Sequence, residues 1–203
     1  MAAPMARQGD LFANAGATPT AAGPEPELAL SREQLLAWQA RLAAHQGPLC
    51  AQEHPPGSTQ GLLFPQQPPA ASPTPVLRLL ELRSQPLSFW RWPRTGHQGA
   101  ALYIVTDQPE PLSHPLVLYI GETGRADRRW KGDHDCKAYL AHYSEALRRQ
   151  KLDVRLSIRF WLDVPEAIRP RRQLEQSLIQ HWLPPVNKET RQRWQAPFTA
   201  LPD

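Results

Sequence analysis

Residues 100–121, AALYIVTDQPEPLSHPLVLYIG, read as two apolar segments parted by a turn-rich loop. AALYIV (100–105) and LVLYIG (116–121) are short and rich in branched and aromatic side chains, as strands are. The prolines between them cannot donate to a sheet ladder, so they mark a connection. The pair predicts an antiparallel hairpin with a long loop. Downstream, a helical turn is expected around Arg128–Trp130. KAYLAHYSEALRRQ (137–150) then puts Tyr139, Leu140, Tyr143 and Leu147 on one side of a helix. VRLSIRFWL (154–162) alternates apolar and polar residues for most of its length, the pattern of a half-buried strand. PRRQLEQSLIQHWL (170–183) reads as a helix opened by Pro170, striped by Leu174, Leu178, Ile179 and Trp182, and stopped by Pro184-Pro185. The order β-β-α-β-α predicts an α+β domain over 99–190, with a three-stranded, mainly antiparallel sheet flanked by helices.

The flanks differ in composition. Of the 23 prolines, 12 lie in residues 1–75, amid low-complexity text such as ANAGATPTAAGPEPE and PQQPPAASPTP. Such stretches bury too little apolar surface to offset the entropy of ordering, so a largely disordered, Pro-rich N-terminal region is expected. Within it, SREQLLAWQARLAAH (31–45) predicts a short helix with Ser31 as N-cap and Leu35, Trp38 and Leu42 on one face, ended by Gly47-Pro48. Residues 76–98 read as a lead-in that packs on the main domain through Phe89, Trp90 and Trp92, and 191–203 as a C-terminal tail.

Residues 76–203 carry 20 Lys/Arg against 14 Asp/Glu, whereas residues 1–75 carry 3 against 5. A basic folded part behind a slightly acidic tail fits a nucleic-acid partner. Cys50 and Cys136 fit neither a disulfide framework nor a cysteine-rich zinc site. No apolar run approaches the ~18 residues that span a membrane, and no signal peptide is evident, so a cytoplasmic location is expected.

Cutting a phosphodiester needs an activated water, stabilisation of a more negative transition state, and help for the leaving oxygen. The domain offers Tyr103 and Tyr119 on paired strands, Arg125, Arg128 and Arg129 in the following loop, and Glu175 beside the apolar stripe of the last helix. Each also has a plain structural reading: the tyrosines as core residues and Glu175 as a solvent-facing edge. Arg171 and Arg172 read either as a solvated helix face or as a track for a DNA backbone. Asp133, His134, Asp135 and Cys136 are consecutive, which makes ligation of one zinc ion by all four difficult. Trp161, Trp182 and Trp194 read as packing residues.

Five blocks occur in order over this stretch: ALY at 101–103, LYIGET at 118–123, Arg129 in RRWK, Glu175 in LEQSLIQHWLPPVN, and Asn187. This ordered set resembles the GIY-YIG nuclease family. The resemblance implies metal-dependent hydrolysis of DNA, with Tyr103 and Tyr119 as paired active-site tyrosines, one of which helps deprotonate the nucleophile. It implies Arg129 at the scissile phosphate, where a guanidinium fork suits two oxygens. Glu175 would be the principal ligand of one Mg²⁺ or Mn²⁺, Asn187 would fix the local turn or the phosphate, and Gly121 would allow a close turn beside Tyr119. The chain departs from the family at Ala101, which replaces a glycine, and at Asp133, where many members carry histidine or tyrosine. The adjacent His134 is the alternative general base. The function expected is an endonuclease in DNA repair or recombination. The competing expectation is a catalytically weakened nucleic-acid-binding module recruited to a partner.

One further pattern lies in the N-terminal region. QGDLF at Gln8–Phe12 and QGLLF at Gln60–Phe64 share the form Q-G-x-L-F. It resembles the short peptide by which bacterial replication and repair proteins dock on the sliding clamp. Two copies on one chain would add avidity on a ring with several pockets.

Overall fold

In the computed structural model, which describes residues 30–53, 79–87, 98–129 and 135–195, the two apolar segments pair as an antiparallel hairpin within an α+β fold. Strand β1 spans Gln85–Pro86, β2 Ala101–Asp107, β3 Leu116–Thr123 and β4 Leu156–Trp161; helix α1 spans Arg32–Glu53, α2 Ala126–Arg129, α3 Asp135–Arg149, α4 Ile168–Trp182 and α5 Arg191–Trp194. The sheet order is β1-β4-β2-β3, and every pairing is antiparallel. Three strands are those the hydropathy pattern marks out. The fourth, β1, corrects the three-stranded expectation: it pairs Gln85 with Ile158 and Pro86 with Ser157 on the outer side of β4. A two-residue strand leaves no periodicity to read, and its proline is tolerated because an edge strand needs donors on one side only.

Both faces of the sheet are covered. All seven residues of β2 are buried, and alternate ones go to different cores. Ala101, Tyr103 and Val105 join Leu35, Trp38 and Leu42 of α1 and Tyr139, Leu140, Tyr143 and Leu147 of α3. Leu102 and Ile104 join Leu178, Ile179 and Trp182 of α4 with Cys50 and Leu79. This double cover also corrects the half-buried reading of β4. Ile158, Arg159 and Phe160 are buried in succession, and Arg159 donates to the hydroxyls of Thr106 and Ser157.

Helix α1 runs past Gly47-Pro48, its expected end, to Glu53. Pro48 lacks an N–H, which costs an intrahelical bond, but the residues on either side are held by tertiary contacts. Gln46 Nε2 donates to the carbonyls of Val117 and Trp182, its Oε1 accepts the N–H of Val117 at 2.8 Å, and Cys50 enters the second core. Ser31 and Gln34 form the reciprocal N-terminal pair of a capping box. At the other end of the described chain, Trp194 of α5 donates to the Leu183 carbonyl, and Trp38 Nε1 donates to the Trp194 carbonyl. Residues from 191 to 195 therefore continue the packed fold.

Strand β3 is the sheet's outer edge, and its open hydrogen-bonding groups are met by other elements. Gln46 serves Val117, the Val186 N–H serves the Leu118 carbonyl, and Asn187 serves both the N–H and the carbonyl of Ile120. Among the described residues, no helix is long and apolar enough to cross a membrane. Phe89, Trp90, Trp92, Asp133, His134 and the two Q-G-x-L-F segments lie outside the described residues.

Candidate functional site

The site is built on the β2–β3 hairpin. Tyr103 stands directly opposite Gly121, and Tyr119 stands opposite Val105, so the two tyrosines are diagonal neighbours on one face. Their ring centroids are 5.9 Å apart with a 30° interplanar angle. Gly121 supplies room. A Cβ there would lie 2.5 Å from Tyr103 Cζ and from its hydroxyl, and 2.7 Å from Tyr119 Cε1. A glycine is needed for close approach of side chains, not for a left-handed turn, which corrects the expectation of a tight backbone turn at this position.

Helix α2 brings Arg129 over the tyrosines. Gly99 adopts φ +81, and its carbonyl accepts the Ala126 N–H at 2.9 Å, which ties the start of α2 to the start of β2. Arg129 Nε then donates to the Tyr103 hydroxyl at 3.1 Å. Arg125 and Arg128 are exposed, and Arg128 lies 3.7 Å from Asp127. Arg129 is therefore the one of the three that joins the tyrosine cluster.

The two tyrosine hydroxyls are hydrogen-bonded to each other. Burial pushes Tyr103 up to about 12, although the bond and charge of Arg129 pull the other way. Burial, the neighbouring Tyr103 and the charges of Cys136 and Glu175 push Tyr119 higher still. Both are neutral phenols at physiological pH. Burial draws Arg129 down, but the bond to Tyr103 and the fields of Tyr103, Tyr119 and Glu122 outweigh it, so the guanidinium is held firmly charged.

Glu175 projects from α4 toward the end of β3. Its Oε1 accepts the Glu122 N–H at 2.9 Å, and among the described residues no hydrogen bond is made to its Oε2. Burial pushes its carboxyl up to about 7, against the lowering bond from Glu122, and the charges of Glu122 and Glu189 add to the rise. The plain reading of Glu175 as a solvent-facing edge does not hold; it is half-buried. A cation is the natural relief for a desolvated carboxylate among other acids. The described residues contain no cluster of three or more His, Cys, Asp or Glu side chains fit to hold a metal. A carboxylate is a hard oxygen group of the kind Mg²⁺ takes, an ion that keeps several waters and needs few protein ligands. Cys136 packs in the first core beside the tyrosines.

Asn187 has both amide atoms engaged with the Ile120 backbone, at 3.0 and 2.8 Å. Of the two roles expected for it, the geometry gives the structural one. Arg171 reads from the sequence as a surface cation, yet its side chain is 3% exposed and its Nε donates to Glu122 Oε2 at 2.7 Å. Arg172 keeps the solvated position expected of it, 3.4 Å from Glu122 Oε1. The Glu122–Arg171 pair escapes sequence reading because an ion pair across 49 residues leaves no local spacing. The only available signal is a carboxylate directly after YIG and a cation one turn before Glu175.

Comparison with known proteins returns no match to a protein-family model, to a curated protein or to a solved structure.

Proposed function

We propose that the chain is a metal-dependent endonuclease of the GIY-YIG type, hydrolysing DNA phosphodiester bonds in the cytoplasm in the course of repair or recombination. The observation that carries this reading is the convergence of Tyr103, Tyr119 and Arg129 in one hydrogen-bonded cluster, with Glu175 close enough for its charge to act on Tyr119. When bound, Mg²⁺ or Mn²⁺ supplies Lewis-acid polarisation of the phosphate and stabilises the leaving 3′ oxygen. Glu175 would hold it.

The remaining work falls to the chain's own groups. Arg129, charged and open to solvent on its far side, offsets the negative charge that develops on the phosphate. Tyr119, the less buried of the pair, orients the attacking water through its hydroxyl, and Tyr103 holds Tyr119 and Arg129 in place; their raised pKa values favour this role over a standing phenolate. Plasmid nicking with Mg²⁺, with Mn²⁺ and with EDTA tests the proposal. Nicking should require the metal and fall by ~10²-fold or more in Glu175→Ala and in Arg129→Ala. Equal, negligible activity of wild type and variants on branched, nicked and linear DNA overturns it in favour of a nucleic-acid-binding module.

A further inference from the structure

We infer that Arg171 and Glu122 are positioning residues that hold the Glu175 carboxylate in its metal-binding geometry. The inference rests on the reading of Glu175 as the metal ligand. Arg171 and Glu175 are four residues apart on α4, so both face the end of β3. They grip one residue there from two sides. Glu175 Oε1 takes the backbone N–H of Glu122 at 2.9 Å, while Arg171 Nε donates to the Glu122 carboxylate at 2.7 Å. Arg171 is in turn locked by two bonds from Nη1 to the carbonyls of Pro165 and Glu166, at 3.1 and 2.6 Å. Its Nη2 lies under Gly124, 3.7 Å from where a Cβ would stand. A guanidinium so enclosed cannot reach a DNA phosphate.

A buried ion pair is poorly explained by stability, since its desolvation cost offsets most of its Coulombic gain. It is well explained by geometry. Asn187 holds the β3 edge at Ile120, and two residues further on the edge N–H of Glu122 has Glu175 as its partner. Anchoring the Glu122 side chain fixes the peptide that presents that N–H. The N–H in turn fixes which Glu175 oxygen is engaged by the backbone, and with it the orientation of the carboxylate. Partners of this kind, one step removed from a metal, typically change its affinity by ~10–100-fold.

The test uses the DNA-free, full-length protein, with Mn²⁺ binding followed by loss of the free-ion EPR signal and amide hydrogen exchange read by NMR. Arg171→Met and the paired replacement Glu122→Gln with Arg171→Met are compared with wild type and Glu175→Ala. The paired replacement removes both charges, so it is the variant expected to keep its fold. The backbone amide of residue 122 should exchange at least ~10-fold faster in both variants, while the Ile120 amide, held by Asn187, is unchanged. Mn²⁺ affinity should fall by ~10-fold or more, with no further fall when Glu175 is already Ala. Wild-type exchange at Glu122 in a folded variant overturns the inference, as does unfolding of both variants, which assigns the pair to stability. If Glu175→Ala leaves Mn²⁺ binding intact, the metal-centre reading fails by itself. Exchange at Glu122 still decides whether the pair positions the Glu175 carboxylate.

Discussion

At the scale of single residues, Glu175 couples the site to pH. Its carboxyl titrates near 4.5 in an unfolded chain and at about 7 in the fold, chiefly through burial. Between those values the folded state binds more protons than the unfolded one, so stability falls as pH rises through that window. Below it the group has no adverse effect. Above about 7 the penalty is fully present, and because the side chain is only partly buried it is discounted for solvent screening to about 1 kcal/mol. Glu175→Gln should therefore raise the melting temperature at pH 8 and have little effect at pH 5, by calorimetry on metal-free protein. A shift of equal size at both pH values contradicts the assignment. Added Mg²⁺ should stabilise wild type more at pH 8 than at pH 6, since the metal must displace the proton. Identities were more legible than roles at this scale. The ordered motif singles out Tyr103, Tyr119, Arg129, Glu175 and Asn187, and the fold brings the first three into one cluster. That Gly121 makes room for two rings, or that Asn187 serves a strand edge, depends on cross-strand neighbours that local spacing does not encode.

At the scale of elements, the unusual strand is β3. An exposed edge invites pairing with other chains; here amide side chains from α1 and from the turn after α4 take the place of a fifth strand. A carboxamide carries a donor and an acceptor, so Gln46 and Asn187 can each imitate one residue of a neighbouring strand. Asn187→Ala would leave a buried N–H and a buried carbonyl of Ile120 unpaired, an expected loss of about 2–4 kcal/mol in urea unfolding. Asn187→Asp keeps the acceptor and sets a carboxylate against the Ile120 carbonyl, so it should not restore stability. A loss below about 0.5 kcal/mol for Asn187→Ala would falsify this account of the edge. Hydropathy marks β2 and β3 as short continuous apolar runs, and β4, α3 and α4 because each carries several apolar positions in its own period. It missed β1, which has two residues, and it ended α1 early because Gly47-Pro48 is a stop signal by local propensity alone. Tertiary contacts of Gln46 and Cys50 override that signal.

At the scale of the whole molecule, α1 ties the two cores together. Its first half puts Leu35, Trp38 and Leu42 among the α3 residues on one face of the sheet. Its last turns pass the β3 edge and put Cys50 among the α4 residues on the other. Read from sequence, this helix sits in a Pro-rich region apart from the domain; in the fold its inner face, Leu35, Trp38, Gln39, Leu42, Gln46 and Cys50, is buried. Trp38 is the centre of that contact. It is 2% exposed, lies 5.9 Å from the Tyr143 ring, and donates to the Trp194 carbonyl. Tyr143 in turn accepts from Gln39 and donates to Asp107 at 2.6 Å, at the end of β2 remote from the site. Trp38→Ala removes a large buried ring and leaves a cavity, with an expected cost of about 3–5 kcal/mol. Because α1 spans both cores, the loss should appear in one cooperative transition, with near-UV circular dichroism and far-UV helix signal moving together in denaturant. Separate transitions for the two signals, or a cost under about 1 kcal/mol, would mean that α1 rests on the domain without joining its cores.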